Sequence, residues 1–359
     1  MFIQRLKLRN FRNYSGLDVY FPPGFHFFTG DNAQGKSNLL EAIYLLSTLK
    51  SFRGAQNSQM VQQGFQAYFV GCTFINDRNN EIRNYWSSRE HRITLNDKKI
   101  TKAGDFFGIL PSVLFCVEDI QLIKGAASLR RRYLDYLLAQ SNPLYLPLLQ
   151  RYGTALRSRN ALFRQNSFHS ALLESFTKEL IKTGTEIIRF RSQLIKEISH
   201  LVTECYHNIA GENVLEQITI RYKPNVLENM ELQLAHSYQK ELNLQYTVVG
   251  PHRDDLEILI NDTPLVKFGS EGQQRTCALA LKMVQASYLT KEKGVPPLLL
   301  IDDVMGELDH KRRQSFLPLL DKVSTSRGQM FMTCTEKNWN TEPRHTSFWK
   351  IVNGTIHPS

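Results

Sequence analysis

Residues Gly30-Asp31-Asn32-Ala33-Gln34-Gly35-Lys36-Ser37 set two glycines, a lysine and a hydroxyl at the spacing G-x-x-x-x-G-K-[ST]. That pattern suits phosphate. The glycines let backbone N–H groups converge on phosphate oxygens, and a helix starting there adds positive potential. Lys36 is then placed for the β- and γ-phosphates and Ser37 for Mg²⁺. A second group lies far along the chain, where the apolar run Val295–Ile301 ends in Asp302 and Asp303. Acids closing a buried-type strand have the Walker B form, with Asp302 in the Mg²⁺ shell and Asp303 polarising a water as general base. The eight residues Gly30 to Ser37 are therefore the candidate nucleotide contacts. Lys36, Asp302 and Asp303 are the candidate catalytic residues, Ser37 and Asp302 the metal ligands, and ATP with Mg²⁺ the cofactor.

A third group stands just before the acids. In Phe268-Gly269-Ser270-Glu271-Gly272-Gln273-Gln274-Arg275, residues Ser270, Gly272 and Gln273 match the S-x-G-Q core of an ABC-type signature. A hydroxyl and free N–H groups at a helix start form another phosphate cradle. One molecule cannot easily close both cradles on one ATP, which suggests two subunits sandwiching the nucleotide. Gly306-Glu307-Leu308-Asp309 then resembles the D-loop that crosses such a seam.

The elements that must hold these groups are legible in outline. Phe25–Thr29 predicts a strand entering the loop, and Asn38–Leu46 a helix leaving it. Residues 1–29 predict paired strands, with Arg12 at their turn as either a nucleotide-side group or a solvated arginine. Lys50–Arg53 is open between phosphate contact and plain surface. Ala67–Ile100 and Leu110–Val117 have strand texture, and residues 119–210 have helical periodicity. Strands are predicted again at Gln217–Tyr222, Leu244–Val249, Leu256–Ile260 and Leu265–Phe268, and at the C-terminal 351–359. The long separation between Ser37 and Asp302 exceeds a minimal P-loop domain. The reading is an α/β fold, an ABC-type P-loop ATPase head (SMC-like) built from 1–118 and 245–359, with a mainly helical inserted domain at 119–244.

The 359 residues, 42% hydrophobic and 22% charged, describe an ordinary globular chain. Its apolar runs are too short to span a bilayer, and the five scattered cysteines suggest neither zinc nor disulfides, so the expected location is the cytoplasm. A net charge of +10 suits an anionic polymer partner. Candidate DNA contacts are Arg130, Arg131, Arg157 and Arg164. Arg157 and Arg164 are two helical turns apart on one face, a stripe for a phosphate backbone or equally a solvated, salt-bridged face.

Taken together these motifs resemble the RecF family of bacterial recombination mediators. The resemblance is carried by Leu8–Tyr14, the P-loop through Ala42, Lys50–Arg53, Glu118-Asp119 through Asp135, Gly250–Asp255, Ser270–Arg275 and Ile301–Asp309. It departs at Cys116-Val117, where the family usually has Ser-Pro, and Thr333 or Thr335 stands at the strand end where a transporter ATPase has its switch histidine. The resemblance implies an ATP-dependent clamp that homodimerises on ATP and binds double-stranded DNA and gapped or single-stranded DNA, at single-strand gaps. It implies work with RecO and RecR to load RecA, in gap repair, replication restart and SOS induction, with weak DNA-dependent ATPase activity. A transporter lacks support in the missing switch histidine. A kinase or GTPase lacks it in the Ser270 signature and the absent N-K-x-D motif. A DNA-binding protein with a vestigial nucleotide site is the remaining alternative.

Overall fold

Alternating apolar and polar side chains open the chain as strands, and the pattern recurs up to residue 100. The computed structural model describes residues 1–165, 170–211, 214–324, 328–334 and 345–359. Strands β1 (Phe2–Phe11), β2 (Tyr14–Tyr20) and β3 (Gly24–Thr29) lead into α1 (Lys36–Thr48) and the single turn α2 (Asn57–Met60). Strands β4 (Ala67–Asn76), β5 (Arg78–Ser87), β6 (His91–Leu95), β7 (Lys98–Lys99) and β8 (Ser112–Cys116) follow. The helical stretch comprises α3 (Gln121–Lys124), α4 (Ala127–Ser141), α5 (Tyr145–Phe163) and α6 (Ser170–Ala210). Then come β9 (Ile218–Lys223), α7 (Met230–Leu244), β10 (Asp255–Ile260), β11 (Thr263–Pro264) and α8 (Leu265–Phe268). The chain closes with α9 (Glu271–Lys293), β12 (Leu298–Asp302), α10 (His310–Ser324), β13 (Gln329–Thr333), β14 (Thr346–Val352) and β15 (Thr355–Pro358).

Backbone contacts group Met1–Asp119, Cys205–Val214 and Ala278–Ser359 in one unit, and Ile120–Glu204 with Leu215–Cys277 in another. Residues 245–277, which the sequence reading counted with the head, cluster in the second unit.

The first unit contains two six-stranded sheets. One is antiparallel in the order β2-β1-β4-β5-β6-β7. The other runs β15-β14-β3-β13-β12-β8, parallel from β14 to β8 with β15 antiparallel at its edge. Its strands are short and apolar on both faces, as parallel strands covered on two sides must be. Helix α1 buries Leu39, Leu40, Ile43 and Leu46 in one core with Leu6, Leu8, Val70 and Phe331. Each such side chain contributes about 2 kcal/mol relative to exposure. The β3-α1 connection thus opens at the carboxyl ends of parallel strands, where α/β sheets bind ligands.

The second unit is mainly helical, with β9, β10 and β11 forming a small antiparallel sheet. Two strand expectations fail here. Leu244–Val249 is not a strand, because side chains take its backbone donors: Asn160 Oδ1 accepts from Thr247 N at 2.8 Å and Glu241 Oε1 from Val248 N at 2.8 Å. Leu265–Phe268 is one helical turn that buries Leu265, so the apolar spacing served a turn rather than a strand. No described helix is long and apolar enough to cross a membrane.

Candidate functional site

The loop after β3 needs its glycines. Gly30 has φ +147°, and a Cβ there would fall 2.4 Å from the Ile351 carbonyl oxygen. Gly35 has φ +114°, and a Cβ would fall 2.6 Å from Asn13 Nδ2. Both are left-handed positions as well as close approaches. Lys36, the first residue of α1, is buried, and its Nζ donates to the carbonyls of Gly30 at 2.5 Å and Asp31 at 3.0 Å. The ammonium is thereby held across the mouth of the loop, while Asp31, Asn32 and Ala33 are exposed. The remaining loop donors and the N-terminus of α1 form an anion cradle.

A buttress behind the loop was not recognised from sequence. Asn13 Nδ2 donates to the Gln34 carbonyl at 2.9 Å, and Asn13 Oδ1 accepts from Asn38 Nδ2 at 2.9 Å. The buried Tyr14 hydroxyl donates to the Gly35 carbonyl at 3.0 Å. Gln34 also accepts from Asn353 N at 2.6 Å and Gly354 N at 3.0 Å. Arg12 fits neither reading offered for it. Its guanidinium makes two bonds, 2.8 and 2.7 Å, to Glu41, a fully buried carboxylate on α1 that also accepts from Ser51 Oγ. Arg53 lies near the acids: it donates to Asn38 Oδ1 at 2.9 Å, and its charge is felt at Asp302.

Strand β13 separates β3 from β12, and this order brings Thr333 between the loop and the acids. Thr333 Oγ1 donates to Asp302 Oδ1 at 2.9 Å and accepts from Asp303 N at 3.0 Å. Burial raises the Asp302 carboxyl above the usual carboxylate range, and hydrogen bonds from Ser37 and Thr333 oppose that rise. Ser37 and Asp302, distant in sequence, are therefore brought close enough for the hydroxyl to act on the carboxyl. A hydroxyl and a carboxylate are hard oxygen donors, the set that suits Mg²⁺ completed by phosphates and water. Asp303 occupies the left-handed region at φ 56° and is exposed, so the two consecutive acids face different surroundings. Thr335, the other candidate for that strand end, lies outside the described residues.

The Ser270 motif belongs to the second unit. Ser270 Oγ accepts from Gln273 N at 3.2 Å, and Gln273 Oε1 accepts from Ser270 N at 2.7 Å, a reciprocal cap at the start of α9. Gln273 Nε2 donates to Glu216, and Gln274 Nε2 to the Gly269 carbonyl at 3.0 Å. Ser270 is exposed, and so are Val266 and Phe268 beside it. Gly272 lies within the first turn, where Thr276 Oγ1 donates to its carbonyl.

The four candidate DNA contacts separate into two kinds. Arg130 makes bonds of 2.7 and 3.0 Å to Asp255, and Arg131 donates to the Asp254 carbonyl at 2.7 Å. Both have partners inside their own unit. Arg159 and Arg151, neighbours of the stripe, also have internal partners in Glu241 and Glu179. Arg157 and Arg164 are exposed, and neither has a carboxylate partner among the described residues.

The Gly250–Asp255 motif is built on a buried acid. Asp254 is fully buried and accepts from Arg191 Nη1 at 3.0 Å, Asn225 N at 2.7 Å and the Tyr222 hydroxyl. Arg191 also donates to Asp135 at 2.8 Å and to the Pro251 carbonyl at 2.8 Å. A Cβ at Gly250 would fall 2.4 Å from the Tyr152 hydroxyl, whose oxygen lies 2.6 Å from His252 Nδ1. The motif is a satisfied ionic knot that fixes α4, α6 and β9 to one turn.

Comparison with known proteins agrees with this architecture. The family model described as RecF/RecN/SMC N terminal domain matches residues 2–352. The DNA replication and repair protein RecF of Lachnoclostridium phytofermentans is 33% identical over 364 residues, covering 99% of each chain. A solved structure of the recombination mediator protein RecF-ATP in the RecFOR pathway is 31% identical, with TM-score 0.89 over 100% of this chain and 97% of that one. The Smc head domain from Pyrococcus furiosus, 18% identical with TM-score 0.60 over 100% of this chain and 96% of that one, is alike in fold.

Proposed function

The chain belongs to the RecF family of DNA replication and repair proteins, and on that premise we propose that it is an ATP-dependent DNA clamp and recombination mediator. ATP closes a homodimer on double-stranded DNA at single-strand gaps. With RecO and RecR the dimer promotes RecA loading, and so serves gap repair, replication restart and SOS induction. Slow, DNA-dependent hydrolysis releases it.

The observation that carries the reading is the cluster at the ends of β3, β13 and β12: Lys36 across the glycine loop, Ser37 beside Asp302, and Thr333 tied to both acids. Bound Mg²⁺–ATP supplies the phosphoanhydride to be cleaved. Ser37 and Asp302 hold the metal, and Lys36 neutralises phosphate charge. Asp303, exposed and turned away by its left-handed backbone, takes the proton of the attacking water. Ser270, Gly272 and Gln273 of a second copy cap the nucleotide, which suits the exposed Ser270 beside Val266 and Phe268.

Two variants test this. Lys36→Ala should lose ATP affinity and ATP-dependent dimerisation, both read by sedimentation; dimerisation that persists with ATP overturns the clamp. Asp303→Asn should bind ATP, accumulate dimer and turn over about 10²-fold more slowly or worse. Unchanged turnover removes Asp303 from the base role.

A further inference from the structure

The antiparallel sheet of the first unit has one face in the core and one face turned away from it. Leu6, Leu8, Val70, Cys72 and Ile82 are buried on the inner face. The outer face carries a row set by strand register: Gly16 opposite Arg9, Arg9 opposite Phe69, Phe69 opposite Tyr85, and Tyr85 opposite Arg92. Across four strands this reads cation, ring, ring, cation, with neighbouring strands about 4.8 Å apart. The next row places Lys7 opposite Gly71, and Gly71 opposite Arg83. A cleft of about 660 Å³ opens over these rows, lined by Lys7, Arg9, Asn10, Gly16, Phe69 and Tyr85 among others.

Three features make this more than a charged surface. A Cβ at Gly71 would lie 2.8 Å from Phe69 Cζ, so the Phe69 ring occupies the space over the glycine, and it stays partly exposed. Arg9 is exposed, and among the described residues no carboxylate pairs with it. The one acid lining the cleft, Asp18, is already bound by Arg5 through bonds of 2.6 Å and lies 3.9 Å from Lys7. Arg83 and Arg92 at the far side have Glu81, Asp97 and Glu90 as partners, which leaves Lys7 and Arg9 as the local positive excess. Open rings between cations on a sheet face match the chemistry of unpaired bases, whose π-faces stack while their phosphates meet the charges. Duplex DNA hides those faces.

We infer that this cleft binds single-stranded DNA, with bases stacked on Phe69 and Tyr85 and phosphates held by Lys7 and Arg9. The inference rests on the DNA-binding reading above and adds to it a surface for the unpaired strand of a gap. The test is a titration of the full-length protein, without nucleotide, against a fluorescent oligothymidylate of about 15 nucleotides. Phe69→Leu keeps the apolar volume and removes the ring; it and Tyr85→Ala should each weaken binding about fivefold or more. Arg9→Ala should lower the salt dependence of binding by about 0.7 in log–log slope. Phe69→Trp should retain binding. ATP-dependent binding to a blunt duplex is measured beside these and should be unchanged. If Phe69→Leu and Arg9→Ala bind the oligonucleotide like the parent, or lose duplex binding equally, the stacking site is overturned while the clamp stands. A parent that binds neither DNA overturns both.

Discussion

Two charged clusters occupy the two units, and their partners set them apart. In the second unit, buried Arg191 and Asp254 and half-buried Asp135 are satisfied by each other, by two tyrosines and by backbone groups. In the first unit, Lys36, Ser37, Asp302 and Asp303 are aligned by neighbours, yet Asp303 and the loop tip remain exposed. Similar residue types thus make a structural knot in one place and a partly open, candidate nucleotide site in the other. The difference is whether the remaining lone pairs and donors already have partners.

The largest expected effect comes from breaking the knot. Asp254→Ala or Arg191→Ala leaves an uncompensated buried charge and should cost about 3–5 kcal/mol of stability. Asp303→Ala, an exposed change, should stay within about 0.5 kcal/mol. Denaturant midpoints compare them, and similar losses would erase the distinction drawn between the two regions.

A histidine in each unit gives the next effect. Burial lowers the pKa of His26 to about 4 and that of His252 to about 4. His26 Nδ1 accepts from the Trp349 indole at 3.1 Å, and His252 Nδ1 faces the Tyr152 hydroxyl. Protonation at either Nδ1 would set donor against donor at that contact or reverse it. Each folded pKa lies below the unfolded value near 6.5, so the unfolded chain binds more protons below that pH. Stability is full above 6.5 and falls as pH drops toward 4, by about 2 kcal/mol per histidine at pH 5. Urea midpoints at pH 7.5 and 5.0 check this in the parent. A flat profile would mean that these rings are not held neutral.

The smallest effect concerns the exposed stripe. Replacing Arg157 and Arg164 together by alanine should reduce the salt slope of duplex binding by about 2, with little change in stability. An unchanged slope would leave that face as plain solvated surface.

The site was legible in sequence where chemistry is local. The spacing Gly30–Ser37, the strand before Asp302 and the helix after Ser37 all follow from neighbours in the chain. The sheet order that inserts β13 between β3 and β12 was not, and with it went the role of Thr333. The roles of Asn13 and Tyr14, and the pairing of Arg12, are hidden in sequence for the same reason, since their partners Gln34, Gly35 and Glu41 lie on another element. Arg130 reads as a free cation because its partner Asp255 is far away in sequence, and the pairing of Asp254 with Arg191 is hidden for the same reason. Leu265–Phe268 failed differently: a short apolar run fits one helical turn as well as a strand.

The most direct test of the clamp is fluorescence anisotropy of gapped DNA with the purified protein at near-physiological salt, comparing ATP–Mg²⁺, ADP–Mg²⁺ and no nucleotide. Tight binding with ATP that is lost with ADP is the predicted result. Equal binding in all three conditions would contradict nucleotide-gated clamping and leave the basic surfaces acting alone.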